Sequence, residues 1–441
     1  MLKQLSNLVH SKLNAEQRKV VANISWLASE RVFRMAIGFV LLAWTARYLN
    51  VDQFGSLNYA VAFVTIFSPL FEIAGDQIIF RDLVNSPEDK DKILGTSFTI
   101  KTIVGSIVLV LSIGSILIFQ ENDPVVQSLV CIVSINSIFA GFSGIELWFQ
   151  SKVELKYTIS SRNIVFLILT CSRVYLLQTK APIESFAWLI VAEVFLNTAG
   201  FIFVYKLSGE NILRWRFDMR RAIKLVKVSF PLIFSTLSIV IYMKIDQVML
   251  GQLADKETVG IYSAAVKLSE MWPFASTAIV KSVAPSIISS KKESEIIYYS
   301  KLQKLCNLQA CLVYIIAVPM TFIATPFVVL VFGQQYSSAG IVLSIHIWSS
   351  MFLFLGYVKE IWISTEELTG FAFMFSSVGA VVNVVLNFVL IPAYKEVGAA
   401  IATVIAYGVA DYLMCFIYPP ARRFGGIMTQ AMTLNLVKLK L

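Results

Sequence analysis

The sequence predicts an all-α, polytopic membrane protein of about twelve transmembrane helices, arranged as two six-helix lobes around a central cavity. Hydrophobic residues make up 57% of the 441 positions and charged residues only 15%, a balance that a soluble fold cannot hide in one core. Apolar runs long enough to cross a bilayer core of about 30 Å recur along the chain. Lysine and arginine collect in alternate polar breaks between these runs.

The apolar runs define twelve predicted segments. Each has roughly the 20 residues that a membrane helix needs. Some contain prolines, such as Pro231 and Pro319, which membrane bundles accommodate as kinks. The predicted segments are 21–46, 55–79, 95–119, 125–149, 159–178, 182–205, 228–251, 259–289, 303–325, 338–358, 370–392 and 398–418.

The basic residues predict the orientation of the chain, because lysine and arginine accumulate in cytoplasmic loops. With a cytoplasmic N-terminus, the predicted outer loops hold only Arg47, Lys180, Lys256 and Lys395. We therefore expect a multi-pass protein of the cell inner (cytoplasmic) membrane with cytoplasmic N- and C-termini. The first apolar stretch is too long for a signal peptide, so no cleavage is expected. The net charge of +9 then comes from cytoplasmic loops and requires no nucleic-acid partner.

A long hydrophilic break divides the segments into two halves. It carries seven basic residues from Lys206 to Lys227. The second segment of each half opens similarly, with Phe54-Gly55 in the first half and Val259-Gly260 in the second, as in transporters with parallel repeats. The predicted organisation is an N-terminal lobe (1–205), a basic cytoplasmic linker (206–227), a C-terminal lobe (228–418) and a cytoplasmic tail (419–441).

The sequence offers little to support an enzyme. The five cysteines lie in apolar segments without metal or disulfide spacing, and two histidines are too few for a zinc site. No Walker loop, Gly-rich dinucleotide motif or catalytic triad is recognisable. We therefore expect a transporter without a cofactor or metal. A membrane enzyme that joins glycans is a competing class, but it would be expected to expose a large outer loop, and the longest here has about a dozen residues.

Ionisable side chains inside the predicted helices indicate function, because a charge in the bilayer is costly unless it is paired or faces a wet cavity. Arg34 could pair with Glu30 in its own helix, and Lys267 with Glu270 could do the same. Other charges lie near segment ends and are expected to reach the headgroups: Glu146, Arg173, Lys281 and Asp411. Five deeper residues are placed on the central cavity as substrate-binding candidates: Arg31, Arg34, Lys244, Asp246 and Lys267.

Glu72 and Asp76 form a separate candidate site for ion coupling. Their i,i+4 spacing predicts two carboxylates on one helix face, where like charges repel. A cation from another helix, such as Arg31 or Lys101, could pair with them. Alternatively, one carboxylate stays protonated at neutral pH and provides a proton-coupling site. The sequence leaves both alternatives open.

Several short stretches are each weak motifs on their own, but they occur together in one order along the chain. They are Arg47-Tyr48-Leu49 with Phe54-Gly55; Trp148-Phe149-Gln150 with Glu154 and Lys156-Tyr157; Asp246 to Leu250 with Val259 to Ala265; Phe332 to Tyr336; and Asn387 to Pro392 with Gly398 to Thr403. They resemble the polysaccharide-transporter branch of the superfamily of multidrug extruders and lipid II flippases, and fit the O-antigen (Wzx-type) flippases best. Lys395-Glu396 departs from this family, which usually has glycine after the tyrosine of an Ile-Pro-x-Tyr-Gly turn.

The resemblance implies two lobes working by alternating access on an undecaprenyl-diphosphate-linked oligosaccharide, which is moved to the periplasmic leaflet. Arginine binds a diphosphate bidentately and lysine as a point charge, so Arg31, Arg34, Lys244 and Lys267 would hold that group. Aromatic side chains could stack on the sugars: Trp26, Tyr59, Tyr242 and Trp272. Expected partners are the lipid-linked substrate and membrane lipids, with a glycan polymerase and a chain-length regulator as further candidates.

A multidrug or organic-cation antiporter of the same architecture is the alternative function. For such a protein the acidic residues Glu72, Asp76 and Asp246 would matter more than the basic ones. Bases and acids are nearly balanced inside the predicted helices, so the sequence leaves the sign of the cavity open. Charge reversal at these positions would discriminate between the two functions.

Overall fold

The structure is a computed structural model that describes the backbone of residues 15–434 and the side chains of residues 33–434 except residue 369. This part of the chain is helical and contains no β-strand, so the predicted all-α class is confirmed. Its α-helices are α1 Ala15–Thr65, α2 Asp76–Asn85, α3 Lys90–Phe119, α4 Pro124–Ser134, α5 Gly144–Ser151, α6 Lys156–Gln178, α7 Ile183–Leu207, α8 Met219–Leu253, α9 Lys256–Ser269, α10 Pro273–Glu293, α11 Glu295–Phe332, α12 Ala339–His346, α13 Ser349–Thr365, α14 Thr369–Tyr407, α15 Met414–Ile417 and α16 Arg422–Met432.

Shorter elements join these helices. A π-helical turn, Gly408–Leu413, connects α14 to α15. Nine helical segments within residues 33–434 are long and apolar enough to cross a membrane, as a polytopic membrane protein requires. The 3-10 helices are Ser68–Ala74, Pro87–Asp89, Ile135–Ser143, Ile212–Arg214, Gln334–Tyr336 and Pro419–Ala421.

Two of the long helices contain a break at a residue with positive φ. Asn50 in α1 has φ 58° and ψ 176°, and its side chain accepts a hydrogen bond from the Gln53 amide at 2.9 Å, which caps the helix that follows. Lys395 in α14 has φ 47° and ψ −128°. It occupies the position where the resembling family usually has glycine, the residue that adopts positive φ most easily. The number of bilayer crossings stays a prediction.

One end of the N-terminal lobe has its own apolar core, which includes the start of α8. Trp148 and Phe149 are buried there together with Ala222 and Leu225 of α8. Because α8 begins at Met219, part of the predicted linker 206–227 is helical. This packing ties the first turns of α8 to the N-terminal lobe.

The chain that leads into α8 is held to the N-terminal lobe by hydrogen bonds. The Arg216 amide donates to the Asp91 carbonyl oxygen at 2.9 Å, and the Asp218 amide donates to Thr96 Oγ1 at 3.0 Å. Asp218 then caps α8 by accepting from the Arg221 amide at 2.9 Å. That hydrogen bond holds the pKa of the Asp218 carboxyl below its usual value.

The two lobes approach each other closely at the end predicted to face outward. A Cβ atom added to Gly55 would lie 1.9 Å from the Lys256 carbonyl oxygen, and one added to Gly260 would lie 2.1 Å from the Val51 carbonyl oxygen. Only glycine fits at both positions, so α1 and α9 meet backbone to backbone. These glycines belong to the similar stretches that open the second segment of each half.

Tyr336 adds polar contacts at the same end. Its hydroxyl donates to the Ala46 carbonyl oxygen at 2.9 Å and also lies 3.1 Å from the Asn50 carbonyl oxygen. Its ring packs edge-on against Phe54, with the ring centroids 5.9 Å apart. The segment after α11 is thereby fastened to the break in α1.

Arg47 joins α1 to the end of α11. Its Nε donates to the Val331 carbonyl oxygen at 3.0 Å, and its Nη2 donates to the Leu330 carbonyl oxygen at 2.5 Å. Both oxygens belong to the last turn of α11 and would otherwise have no partner within that helix. Lys256 and Asp123 form an ion pair across the same boundary. We refer to these contacts of Arg47, Gly55, Lys256, Gly260 and Tyr336 as the outer seal.

In the C-terminal lobe, α13 extends to Thr365, whereas the corresponding segment was predicted to end at residue 358. The prediction was wrong because Lys359 and Glu360 resemble a polar break in the sequence. Ile361, Trp362 and Ile363 continue the buried helix face beyond them. Lys359 therefore lies buried inside the lobe, whereas Glu360 is exposed on the same helix.

Candidate functional site

A cavity of about 400 Å³ lies within the C-terminal lobe, between α8, α10, α13 and α14. This volume falls in the range of roughly 300–1,000 Å³ found for ligand pockets. Its lining combines aromatic, basic and acidic side chains, of which the main ones are Tyr242, Lys244, Glu270, Tyr357, Lys359 and Glu360. We call it the C-lobe cavity.

A buried ion pair lines the C-lobe cavity. Lys359 Nζ lies 2.7 Å from Asp411 Oδ1, and the two side chains are only 5% and 15% exposed. The same Nζ donates to the Ala410 carbonyl oxygen at 3.1 Å and lies 4.8 Å from the centre of the Phe375 ring. Because burial raises the cost of an unpaired charge, each partner compensates the charge of the other within the lobe.

The π-helical turn explains how two consecutive residues, Ala410 and Asp411, both contact Lys359. Gly408–Leu413 has π-helical geometry, which widens the helix locally and is frequent at functional sites. It presents the carbonyl of Ala410 and the carboxylate of Asp411 to Lys359. A Cβ atom added to Gly356 would lie 3.0 Å from Asp411 Oδ1, so the small residue leaves room for the carboxylate.

Lys244 and Glu270 form a second charged pair at the cavity, with Nζ and Oε1 3.5 Å apart. The alternative that Lys267 pairs with Glu270 within its helix is wrong, because α9 ends at Ser269 and Glu270 contacts Lys244 instead. Lys267 nevertheless lies within electrostatic range of Glu270, Lys244 and Arg173. Arg173 belongs to α6 in the other lobe and acts electrostatically on Lys267 as well; we call Arg173, Lys244 and Lys267 the basic cluster.

Asp246 lies deeper, outside the lining of the C-lobe cavity. Its carboxylate accepts hydrogen bonds from Tyr262 and Thr403, each at 2.5 Å, and from Asn387 at 2.6 Å. Asn383 extends this network through Asn387 at 3.0 Å. These hydrogen bonds offset the cost of burying the carboxylate.

The Asp246 network reaches the cavity wall through Tyr262 and His346. Their rings pack edge-on at 6.0 Å, and His346 Nδ1 shares a hydrogen bond with Ser269 Oγ at 2.7 Å. His346 lines the cavity. Within residues 33–434, no group of three or more His, Cys, Asp or Glu residues could hold a metal.

Glu72 and Asp76 do not share one helix face, so this part of the prediction was wrong. Glu72 lies in the 3-10 helix Ser68–Ala74, whereas Asp76 is the first residue of α2, after a break at Gly75. Lys101 forms an ion pair with Asp76 and donates to Ser143 Oγ at 2.8 Å. The cation from another helix, one of the two alternatives, is therefore present for Asp76.

Arg34 lies in the N-terminal lobe, away from the C-lobe cavity. It donates to Asn163 Oδ1 at 3.0 Å and lies 4.7 Å from the centre of the Phe166 ring. It lines a pocket of about 350 Å³ that also includes Arg162 and Glu193. The side chains of Arg31 and Trp26 lie outside the described residues.

The other aromatic and charged candidates are distributed as follows. Tyr242 lines the C-lobe cavity, whereas Tyr59 is buried and accepts a hydrogen bond from Gln252 at 2.7 Å. Trp272 is 37% exposed. Glu146 was expected to reach the headgroups, but it accepts a hydrogen bond from Arg162 at 2.5 Å.

Sequence reasoning missed Lys359 and Glu360 and assigned Asp411 to a helix end. The signal for Lys359 was the apolar run that resumes directly after Glu360. Local sequence carries no sign of the π-helical turn that brings Asp411 to Lys359. The side chains around Asp246 come from stretches that carry the family resemblance, Asn387 and Thr403 among them.

Comparison with known proteins places the chain in a family. The model of the family described as "Polysaccharide biosynthesis protein" matches residues 20–291. A protein of the Lsg locus of Haemophilus influenzae is 20% identical over 314 residues, which cover 68% of this chain and 73% of that protein. The "Probable flippase AglR" of Haloferax volcanii is 24% identical over 186 residues, which cover 41% of this chain and 38% of that protein.

Solved structures share the fold. The lipid II flippase MurJ in its inward closed conformation superposes with a TM-score of 0.69 at 16% identity, covering 93% of this chain and 91% of that chain. An inward-facing multidrug resistance transporter of the MATE family, from the MOP superfamily, superposes with a TM-score of 0.72 at 12% identity, covering 90% and 96%. The fold is thus that of two-lobe transporters. Because the family model covers more than half of the sequence, the chain belongs to the polysaccharide biosynthesis protein family.

Proposed function

We propose that this protein is a flippase that moves an undecaprenyl-diphosphate-linked oligosaccharide, an O-antigen repeat unit or a similar glycan, from the cytoplasmic to the periplasmic leaflet of the inner membrane by alternating access. Membership of the polysaccharide biosynthesis family and the two-lobe transporter fold support this proposal. A relative named as a flippase supports it as well. The protein carries its substrate unchanged, as a transporter does.

The observation that carries the proposal is the position of the basic cluster beside the C-lobe cavity. Lys244 belongs to both, since it lines the cavity and lies in electrostatic range of Lys267. Arg173 brings a guanidinium group from the other lobe. A diphosphate held by Lys244, Lys267 and Arg173 would therefore touch both lobes. Its binding energy can then depend on how the lobes are arranged, which is what coupling of binding to lobe movement requires.

The C-lobe cavity suits the sugar end of such a substrate. Tyr242 and Tyr357 offer ring faces for stacking, and Glu270 and Glu360 offer oxygens that accept hydrogen bonds from sugar hydroxyls. Charged groups at the wall keep the cavity hydrated. A polar head can enter such a cavity while the polyprenyl chain stays in the lipid.

The outer seal supports loading from the cytoplasmic side. Backbone contacts at Gly55 and Gly260 close the lobes at the end predicted to face outward. With that end closed, the basic cluster would receive its ligand from the opposite, predicted cytoplasmic end. Opening of the seal would then be the step that releases the glycan outward.

Binding of a lipid-linked oligosaccharide to the full-length protein in nanodiscs tests this site. Lys244→Ala and Lys267→Ala are each expected to weaken binding about tenfold, because each removes one cation that would form a charge-assisted contact with the diphosphate. Lys304→Ala is the matched control, since Lys304 is an exposed residue of the same lobe remote in sequence from the cluster. Equal weakening in all three variants would contradict the assignment of the site.

A multidrug or organic-cation antiporter is the second candidate, and one observation favours it. Acidic residues outnumber basic ones in the lining of the C-lobe cavity: Glu270, Glu360 and Asp411 against Lys244 and Lys359. A cation would be attracted by that excess. Under this alternative Glu360→Gln would abolish organic-cation binding, whereas the flippase proposal predicts no organic-cation binding to lose.

Several finer assignments accompany the proposal. The lobes are taken as 1–205 and 228–418, with both termini in the cytoplasm. Glu72 and Asp76 are retained as candidates for ion coupling, with Asp246 as a substrate-site residue. A glycan polymerase and a chain-length regulator would receive the flipped product.

A further inference from the structure

A separate pocket of about 380 Å³ lies between α2 and the start of α8, at the end of the N-terminal lobe predicted to face the cytoplasm. It is lined by four basic and two acidic side chains together with a few apolar ones. The basic residues are Arg81, Arg220, Arg221 and Lys224, and the acidic ones are Asp82 and Asp218. The pocket therefore has an excess of positive charge.

The two carboxylates of this pocket are already engaged. Asp82 lies 3.4 Å from Arg81 and 3.5 Å from Arg221. Asp218 caps α8 by accepting from the Arg221 amide. Arg220 and Lys224 are exposed and form no ion pair within residues 33–434. Two cations are thus left to attract an anion from outside the protein.

These two cations begin a stripe along the surface of α8. Arg220, Lys224, Val228 and Leu232 follow one another at four-residue intervals, so each lies beside the next and the stripe winds gradually around the helix. Val228 is 50% exposed and Leu232 is 40% exposed, so the stripe changes from charged to apolar at Val228. Twelve residues of helix span about 18 Å, slightly more than half of a bilayer core of about 30 Å.

We propose that this stripe and the adjoining pocket bind an anionic phospholipid of the cytoplasmic leaflet, with its phosphate at Arg220 and Lys224 and an acyl chain along Val228 and Leu232. Arginine offers a fork of donors and lysine a point charge to the phosphate oxygens. Basic residues at the cytoplasmic surface attract anionic headgroups. The apolar continuation of the stripe distinguishes a lipid from a free phosphate, which would have nothing to contact beyond Lys224.

This site has a consequence for the moving parts of a two-lobe transporter. The start of α8 is packed into the N-terminal lobe through Ala222 and Leu225, while the rest of α8 contributes Tyr242 and Lys244 to the C-lobe cavity. A bound lipid would therefore hold the helix that joins the lobes. The inference does not depend on which substrate the cavity carries.

Displacement of a fluorescent phosphatidylglycerol from the full-length protein in uncharged detergent tests the proposal. Arg220→Ala with Lys224→Ala is expected to weaken phosphatidylglycerol binding about twentyfold, as the loss of two surface cations predicts. Val228→Asn with Leu232→Asn keeps both charges and is expected to weaken binding several-fold. Lys206→Ala with Arg214→Ala removes two exposed cations of the same predicted end and should leave affinity within about twofold. Phosphatidylcholine should compete poorly.

Three results would overturn the proposal. The first is equal weakening by the Lys206 and Arg214 variants, which would indicate general attraction to basic loops. The second is displacement by inorganic phosphate as effective as by phosphatidylglycerol, which would indicate a soluble phosphate as the ligand. The third is binding of a polyprenyl diphosphate here at least tenfold tighter than phosphatidylglycerol, which would make the stripe an entry point for substrate.

Discussion

The outer seal and the C-lobe cavity are formed by different kinds of contact. The seal consists of glycines facing backbone oxygens, a tyrosine hydroxyl on two carbonyls and an arginine on the end of α11. The cavity is lined by aromatic rings and by charges that pair across it, among them Lys359 with Asp411 and Lys244 with Glu270. The seal depends on close approach, whereas the cavity depends on charge.

This difference corresponds to two functions of a transporter, opening of one end and binding of the substrate. A surface held by shape, by hydrogen bonds and by the single ion pair of Lys256 and Asp123 leaves fewer charges unpaired when it opens than a cavity lined by buried pairs, so its opening costs less electrostatic energy. A cavity of paired charges keeps its polar groups satisfied while it is empty and can exchange those partners for a polar ligand. Changes at the seal should therefore affect transport, and changes at the cavity should affect binding or stability.

Gly260→Leu is expected to have the largest effect. The added side chain meets the Val51 backbone, since even a Cβ atom would lie 2.1 Å from its carbonyl oxygen, so the lobes cannot close at the outer end. Transport of the lipid-linked oligosaccharide should fall at least tenfold, while binding measured in nanodiscs changes little. Gly114→Leu is the control, because nothing lies within 4 Å of a Cβ atom there. Retained transport in Gly260→Leu would show that closure is not needed.

Lys359→Ala should mainly reduce stability. It leaves Asp411 buried without its cation, and breaking a buried pair in this way costs about 3–5 kcal/mol in the free energy of unfolding. Thermal unfolding of the purified protein measures the loss. Lys359→Met combined with Asp411→Leu removes both charges and should recover most of the stability. Failure of the double variant to recover would point to a role of the charges beyond mutual pairing.

Tyr336→Phe sharpens the account of the seal. The variant keeps the ring that packs on Phe54 but removes the hydroxyl that donates to Ala46. A net loss of about 1 kcal/mol is expected from such a hydrogen bond, and it should favour opening of the outer end. With Val51→Cys added to both proteins, the rate at which a thiol reagent supplied from outside labels this cysteine should increase roughly fivefold. Unchanged accessibility would show that the hydroxyl does not hold the seal.

Asp255 caps the start of α9 next to the outer seal and gives the free energy of unfolding a weak dependence on pH. Burial raises the pKa of this carboxyl, but hydrogen bonds from Thr258 and Lys395 together outweigh burial and lower the pKa below its usual value. Because the pKa is lower in the folded protein, the carboxylate stabilises the fold above its usual pKa, and this contribution is lost as pH falls through the lower value. Thermal unfolding between pH 6 and about pH 3 should show a decline that is smaller in Asp255→Asn.

The smallest effect is expected for Lys395→Ala. The Lys395–Asp255 pair is 3.1 Å long but its side chains are 60% and 49% exposed, and solvent screens such exposed pairs so that they contribute little to stability. The unfolding temperature should therefore stay close to that of wild type. A loss as large as that of Lys359→Ala would contradict the distinction between exposed and buried pairs.

Much of the fold and part of the candidate site could be predicted from the sequence, and particular residues show why. Apolar run length fixed the helical class, because a membrane helix must supply about 20 apolar residues whatever its neighbours are. The break at Asn50 and the end of α13 at Thr365 were not predicted. Both depend on local hydrogen bonds and burial that hydropathy does not encode. Lys359 was missed for the same reason, since its charge is acceptable only beside Asp411.

The resemblance identified stretches whose physical role only the fold reveals. The outer seal brings together residues from three separate stretches: Arg47 and Gly55 from the first, Gly260 from the second and Tyr336 from the third. Helix packing brings them together, and no spacing along the chain predicts it. The charged residues that the sequence placed together on a central cavity lie apart in the structure. Lys244 lines the wall of the C-lobe cavity, whereas Arg34 lies in the other lobe.

Transport by wild-type protein in proteoliposomes tests the central claim most directly. A lipid-linked oligosaccharide and an organic cation would be supplied to the same vesicles, and the fraction of each that crosses the membrane would be measured. Our account predicts translocation of the lipid-linked oligosaccharide, with a loss of at least tenfold in Lys244→Ala and none in Lys304→Ala. Extrusion of the organic cation without movement of the lipid-linked oligosaccharide would contradict the flippase assignment and favour the antiporter.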